Sequence, residues 1–144
     1  MARHVFRCPL RWSDMDSYGH VNNVQFLRLL EEARVAMLFV EPKTADVMTL
    51  DGQLVVVRHE IDYTAPLVYR PEPIAIETWV TRIGGASFTV AYEVKDGDQI
   101  YAKARTVLAA IDKASGRARR LSVEERSWIT TYHEPEETVI AGGR

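Results

Sequence analysis

The segment RWSDMDSYGHVNN, residues 11–23, separates an alternating pattern from a long apolar one and decides how the rest of the chain is arranged. Before it, residues 4–12 place Phe6, Cys8, Leu10 and Trp12 at every second position, which predicts a half-buried strand. The segment itself is polar and contains Gly19, so it predicts a loop. Its closing asparagines, Asn22 and Asn23, are both favourable N-caps for a helix.

A single long helix is predicted over residues 23–40. Phe26, Leu30, Ala33, Met37 and Val40 recur at spacings of three and four, and Pro42 ends the pattern. Further apolar residues widen this face until most of the helix circumference is apolar. Such a helix must be covered on most sides by other parts of the protein.

Strand patterns follow almost without interruption. We expect four runs, over residues 55–65, 74–83, 88–94 and 100–111, with turns at Gly84-Gly85 and Asp96-Gly97. In the first run one face is expected to carry Val55, Val57, His59, Ile61, Tyr63 and Ala65. In the last run the inner face is expected to carry Ala102, Ala104, Thr106, Leu108 and Ala110. Ser122 and Glu125 form a capping box that opens a short helix to about Thr131.

The order strand, long helix, four strands and short helix predicts an α+β fold. Short turns make the later strands an antiparallel meander, and the first strand can join its edge. The sheet must cover one apolar face, and the helix is apolar on most sides. Both surfaces are buried when the sheet wraps around the helix. This is the hotdog arrangement: a five-stranded antiparallel sheet, a central helix and a short C-terminal helix. We expect the domain to span residues 1–132 and residues 133–144 to form a flexible tail.

Composition excludes several classes of function. The chain has 144 residues and a net charge of 18 − 20 = −2, which gives no general attraction to nucleic acid. No apolar run approaches the roughly 18 residues of a membrane-spanning helix, and no signal peptide opens the chain. A cytoplasmic location without membrane contact is therefore expected. Cys8 is the only cysteine and its alternating neighbours favour a packing role.

Residues 11–23, followed by Phe26-Leu27 and Glu31-Glu32-Ala33-Arg34, resemble the 4-hydroxybenzoyl-CoA thioesterase family. Within it, the chain is most similar to short bacterial acyl-CoA thioesterases with a D-x-x-x-H-V-N-N signature. Ile61-Asp62-Tyr63-Thr64-Ala65-Pro66 resembles the same family, and the likeness covers residues 4 to about 130. It implies a hotdog enzyme of lipid metabolism that hydrolyses acyl-CoA or acyl-carrier-protein thioesters. It also implies a homodimer or homotetramer with sites at the shared interface, and no cofactor beyond the coenzyme A of the substrate.

The resemblance assigns roles to individual residues. Asp16 matches the catalytic aspartate, acting as nucleophile or as general base, and Asn23 matches the position whose backbone N–H polarises the thioester carbonyl. Tyr18, His20 and Asn22 are expected to contact substrate, and His59 to border the acyl pocket. Some relatives carry histidine or tyrosine at position 23 and tyrosine at position 12, so side-chain roles there do not carry over.

The residues suit thioester chemistry independently of that likeness. A thioester has a good leaving group, so hydrolysis needs a nucleophile or base and donors for the oxyanion, but no metal. Asp16 can supply the first, and the free N–H groups at a helix start near Asn22 and Asn23 the second. Gly19 allows the bend between them, and no G-x-S-x-G elbow offers a serine instead.

Other interpretations remain open from sequence. Asp16 could simply bond its own turn, and Asp14, Asp16 and His20 could be metal ligands, although we expect no metal site. A non-hydrolytic acyl-CoA binding or sensing protein could use the same fold. A hotdog dehydratase would pair an aspartate with a histidine across the site, and His20 is close to Asp16 along the loop.

Overall fold

The structure, a computed structural model, describes residues 3–41 and 53–136. Its strands form one five-stranded antiparallel sheet in the order β1-β3-β4-β5-β2. These strands are β1 His4–Cys8, β2 Gln53–Tyr63, β3 Ile74–Ile83, β4 Ser87–Asp96 and β5 Gln99–Ile111. Helix α1, Asn23–Val35, continues as a π-helical turn, Ala36–Val40, and helix α2 spans Val123–Thr130. The predicted hotdog fold, with its long helix and short C-terminal helix, is confirmed. The predicted meander of four consecutive strands is wrong for β2, which pairs with β5 at the far edge of the sheet and not with β3, because the ten residues between β2 and β3 form a crossing connection and not a tight turn.

The core lies between the inner face of the sheet and α1. On β4 the buried residues at alternate positions are Phe88, Val90, Tyr92 and Val94, as predicted. The predicted inner face of β5 is also confirmed, and its alanines let the helix approach closely. From α1 and the π turn, Leu29, Leu30, Ala33 and Met37 are fully buried against this surface. Each buried leucine contributes about 2 kcal/mol to the free energy of unfolding, so this contact dominates stability.

The first strand is shorter than predicted. It ends at Cys8, and the chain then forms a single 3-10 turn, Trp12–Asp14. Leu10 stays buried, but Trp12 is 77% exposed, so the prediction that Trp12 shares the inner face is wrong. The cause is the turn, which changes the side-chain period from the two residues of a strand to the three of a 3-10 helix.

A β-bulge also corrects the predicted face of β2. The pairing with β5 shifts register between Val56 and Arg58, so one residue is left without a partner. His59 and Ile61 lie opposite inner-face Thr106 and Ala104, as predicted. Before the bulge the inner-face positions are Leu54 and Val56, which pair with Ala110 and Leu108, and not the predicted Val55 and Val57.

Strand β2 is an edge of the sheet, and its inner face is only partly covered. Helix α1 packs closely against β1 and β3, at the opposite side of the sheet. Tyr63 on β2 and Val35 on α1 are therefore 50% and 41% exposed, so the described residues leave this side of the helix partly uncovered. We call the space between these two elements, bordered by Phe26, Glu31, Arg34, His59 and Tyr63, the α1–β2 cleft.

The C-terminal segment attaches to both the helix and the sheet. Ser122 and Glu125 form the predicted capping box at the start of α2. The indole N–H of Trp128 donates to the carbonyl of Met37, which ties α2 to the π turn. Beyond the domain boundary expected at residue 132, His133 pairs with Val80 of β3, so the chain stays on the sheet there. Residues 137–144 of the expected tail, and Pro42, lie outside the described residues.

None of the helices that the structure describes is long and apolar enough to cross a membrane.

Candidate active site

The polar loop between β1 and α1 is a tight, hydrogen-bonded hairpin. Met15 pairs with Val21 in an antiparallel bridge, and the Asp16 N–H donates to the His20 carbonyl over 2.8 Å. Gly19 has φ of +80°, a conformation that side-chain-bearing residues rarely adopt. The Val21 N–H donates to the carbonyl of Leu67, which anchors the hairpin to the chain after β2. The hairpin therefore places Asp16 opposite His20, in the loop that leads directly into α1.

Asp14 is the structural anchor of this loop. Its side chain is fully buried and accepts hydrogen bonds from the Arg11 backbone N–H, the Arg11 guanidinium and Arg28 on α1. Burial alone would raise the pKa of this carboxyl, but the bonds from Arg11 and the charge of Arg28 outweigh it, so the pKa is lowered. Both carboxylate oxygens of Asp14 are engaged in holding the loop to the helix.

Asp16 is held differently and keeps one oxygen available. Its Oδ1 accepts from the backbone N–H groups of Tyr18 at 2.9 Å and His20 at 3.3 Å, so the turn role expected as an alternative is real. Within residues 3–41 and 53–136, no donor bonds its Oδ2. The side chain is half-buried. A carboxylate fixed through one oxygen, with the other free, can attack a carbonyl or take a proton from water.

The start of α1 offers a backbone donor. Asn22 is the N-cap: its Oδ1 accepts from the Val24 N–H at 2.8 Å, and its carbonyl accepts from the Gln25 N–H at 2.9 Å. In the described part of the chain nothing accepts from the Asn23 N–H, the first of the helix. This N–H lies at the positive end of the helix dipole, where a developing oxyanion is stabilised.

The predicted site residues form one group plus one outlier. Tyr18 is 83% exposed at the tip of the hairpin, while His20 is partly buried and pairs with Val68. Together with Asp16, Asn22 and Asn23 these residues share a single loop and helix start. His59 lies instead on β2, four residues before the point where the strand comes close to the helix start. At the rise per residue of a strand, these four residues span about 13 Å.

Tyr63 is a residue of this site that the sequence analysis did not single out. Its hydroxyl donates to the Asn23 carbonyl at 3.3 Å, and its ring packs edge-on against Phe26, with centroids 5.4 Å apart. Burial raises the pKa of this phenol, which keeps it protonated as a donor. The available signal was its position four residues after His59 on the same strand face.

The possible metal ligands Asp14, Asp16 and His20 are held in different ways. Asp14 is fully engaged by Arg11 and Arg28, which leaves Asp16 and His20 as the remaining candidates. The described residues contain no group of three or more side chains arranged to hold a metal ion.

Comparison with known proteins identifies the family to which this chain belongs. The model of the family named Thioesterase-like superfamily matches residues 10–129, which includes the hairpin, α1 and the whole sheet beyond β1. The chain is 29% identical to the uncharacterized protein YsmA of Bacillus subtilis (strain 168) over 127 residues, 85% of this chain and 82% of YsmA.

Solved structures agree with the fold. A predicted thioesterase from Bacillus stearothermophilus superposes with a TM-score of 0.82 at 24% identity, covering 94% of this chain and all of that one. A thioesterase from Thermus thermophilus, complexed with coenzyme A and Zn, gives a TM-score of 0.73 at 27% identity, covering 89% of this chain and 92% of that one.

Proposed function

The chain belongs to the thioesterase-like superfamily, and from that membership we propose that it hydrolyses acyl-CoA thioesters to a free carboxylic acid and a thiol. Membership supports thioester hydrolysis in general. The coenzyme A bound to the Thermus thermophilus relative supports a ligand of that type. One observation supports the chemistry in this chain: Asp16, with an unengaged Oδ2, lies on the hairpin that leads into a helix start whose first N–H has no acceptor in the described residues.

In the proposed reaction the thioester carbonyl oxygen accepts a hydrogen bond from the Asn23 N–H. Asp16 then either attacks the carbonyl carbon, forming a mixed anhydride that water hydrolyses, or takes a proton from the attacking water. In both routes the C–S bond breaks and the thiolate leaves with its electron pair. In the first route water adds to the Asp16 carboxyl carbon of the anhydride, so the acid leaves with an Asp16 oxygen and water restores the carboxylate. In the second route water adds to the thioester carbonyl carbon and supplies the oxygen of the acid. Tyr63 holds the carbonyl of Asn23 and thereby orients the first turn of α1. Tyr18, His20 and Asn22 contact the substrate around the thioester group in this proposal. The same reaction would hydrolyse thioesters of an acyl-carrier protein.

A non-hydrolytic acyl-CoA binding protein is the second candidate. It would need the cleft and the helix start but no carboxylate. The free oxygen of Asp16 on the hairpin that leads into the helix start favours hydrolysis over it. A dehydratase would need a histidine facing Asp16, whereas His20 donates to Asp16 only through its backbone N–H.

Release of free thiol from a panel of short, medium-chain and aromatic acyl-CoAs tests the proposal. We expect saturable turnover of at least one compound, detected with a thiol reagent and matched by equimolar acid. Tight binding of these compounds without thiol release would replace the hydrolase with the binding protein.

We also propose that two copies pair through β2. No described strand pairs with the outer side of this edge strand, and Val56 and Val57 beside the bulge are 40% and 58% exposed. A second copy would close the α1–β2 cleft and complete the site. We expect light scattering to give twice the chain mass, or four times if pairs associate further.

The double substitution Val56→Lys, Val57→Lys tests this pairing. Lysines on an exposed edge oppose strand pairing, so we expect a monomer that retains its fold and loses most of its thiol release. Val123→Lys is the matched control, because Val123 is 82% exposed on α2. A double variant that remains dimeric would contradict the proposed interface.

A further inference from the structure

A chain of buried polar groups runs from helix α1 through the sheet to His59. Arg34 Nη1 donates to the Tyr92 hydroxyl at 3.1 Å, and that hydroxyl donates to Thr106 Oγ1 at 2.9 Å. Thr106 Oγ1 lies 2.9 Å from His59 Nδ1. Arg34, Tyr92 and Thr106 are 9%, 1% and 0% exposed. Buried polar groups of this kind are retained at a cost to stability, so they are candidates for a role in the cleft.

The direction of these bonds fixes the proton on His59. A guanidinium can only donate, so the Tyr92 oxygen accepts from Arg34 and its own proton goes to Thr106. The Thr106 hydroxyl proton then has His59 Nδ1 as its sole acceptor among the described residues. With His59 Nδ1 as that acceptor every donor of the polar chain has a partner, which favours the tautomer that carries its hydrogen on Nε2.

Burial and the neighbouring Arg34 both disfavour the protonated form of His59. Partial burial lowers the pKa of His59, and the positive charge of Arg34 lowers it further. The negative charge of Glu31, which is exposed one turn earlier on α1, acts in the opposite direction and is the smaller effect. Nδ1 lies against the buried Thr106 while the residue as a whole remains exposed, so Nε2–H is at the exposed edge of the ring, on the inner face of β2 that borders the α1–β2 cleft.

We propose that the Nε2–H of His59 is a specificity-determining donor for a hydroxyl group on the acyl chain of the substrate. Arg34, Tyr92 and Thr106 are positioning residues that hold this tautomer. The donor lies about 13 Å along β2 from the helix start, so it meets an oxygen near the end of a medium-chain acyl group. This inference rests on the proposed hydrolysis at Asp16 and Asn23, and it names the substrate class of that site.

A hydroxyl suits this end of the cleft better than a methyl or a carboxylate. Its oxygen accepts from His59 Nε2–H, and its proton can be donated to the carboxylate of Glu31. A terminal methyl leaves a desolvated N–H without a partner. A terminal carboxylate accepts from His59 but is repelled by Glu31. Sites that bond a substrate hydroxyl discriminate against the analogue that lacks it.

Competing compounds of equal length test the inference. We expect kcat/KM for ω-hydroxydecanoyl-CoA to exceed that for decanoyl-CoA by about tenfold, with decanedioyl-CoA below the hydroxylated compound. His59→Leu should remove the preference, so that the ratio of kcat/KM between the hydroxylated and the plain compound falls to about one. Thr106→Val should weaken the preference by releasing the tautomer. Arg58→Gln, a change at an exposed neighbour on β2, should leave it intact.

A second readout addresses the tautomer directly. In ¹⁵N-labelled protein we expect the His59 ring shifts of a neutral Nε2–H imidazole, and a mixture of tautomers in Thr106→Val. A ring protonated on Nδ1 in the parent overturns the inference. Equal kcat/KM for the hydroxylated and plain compounds also overturns it and leaves hydrolysis standing, whereas absence of thiol release from every compound overturns the proposed function itself.

Discussion

Asp16→Asn is expected to lower kcat/KM for thiol release by more than about a hundredfold while leaving the fold intact. The amide oxygen can still accept from the backbone N–H groups of Tyr18 and His20, so the hairpin keeps its turn. The free Oδ2, however, is replaced by an NH₂ group that can neither attack a carbonyl nor accept a proton. Steady-state kinetics on the best acyl-CoA of the panel, with circular dichroism as the check on folding, measure this effect.

The two roles open to Asp16 are separable in the same protein. In a single turnover in H₂¹⁸O with enzyme in excess, an attacking carboxylate takes up the label as the mixed anhydride is hydrolysed, and mass spectrometry of the hairpin peptide detects it. A general base leaves the label in the product acid alone. Asp16→Asn protein that retains activity within about threefold of the parent would instead reduce Asp16 to the turn residue considered from the sequence.

Most of the fold followed from local patterns in the sequence. Strands β3 to β5 bury alternate side chains, and the helix start and capping box use short-range bonds, so each is encoded within a few residues. The bulge in β2 is not encoded in this way. It arises from the pairing of two strands that lie about fifty residues apart, and no single strand pattern contains that register.

The sequence predicted the loop that carries the candidate site residues, but it did not predict their contacts. Asp14 and Asp16 are equivalent carboxylates in a polar loop when only the sequence is considered. Arg28, which reaches Asp14 from the next element, makes one of them an anchor and leaves the other available. The bond from Arg34 to Tyr92 joins residues 58 positions apart, so the polar chain behind His59 also needed the folded structure.

Asp14→Asn is expected to lower the free energy of unfolding, whereas Asp16→Asn is expected to lower kcat/KM. The buried carboxylate of Asp14 joins the hairpin to α1 through Arg11 and Arg28, and an amide leaves part of that charge unpaired. Arg11 is half-exposed and recovers some solvation, so we expect a loss of about 2–3 kcal/mol in the free energy of unfolding at neutral pH. That loss corresponds to a fall in Tm of roughly 5–10 °C for a chain of this size.

The effect of Asp14→Asn should depend on pH in a defined direction. Because the pKa of Asp14 is lowered in the folded state, its stabilisation is fully present above its unfolded pKa of about 3.9 and is lost as pH falls through the folded value. The gap in unfolding free energy between parent and variant should therefore be constant from neutral pH down to about 4 and shrink below it. Urea titrations at a series of pH values measure that gap, with Asp16→Asn as the matched loop variant. A gap that stays constant down to pH values well below 3 would show that Asp14 contributes through shape and not through its charge.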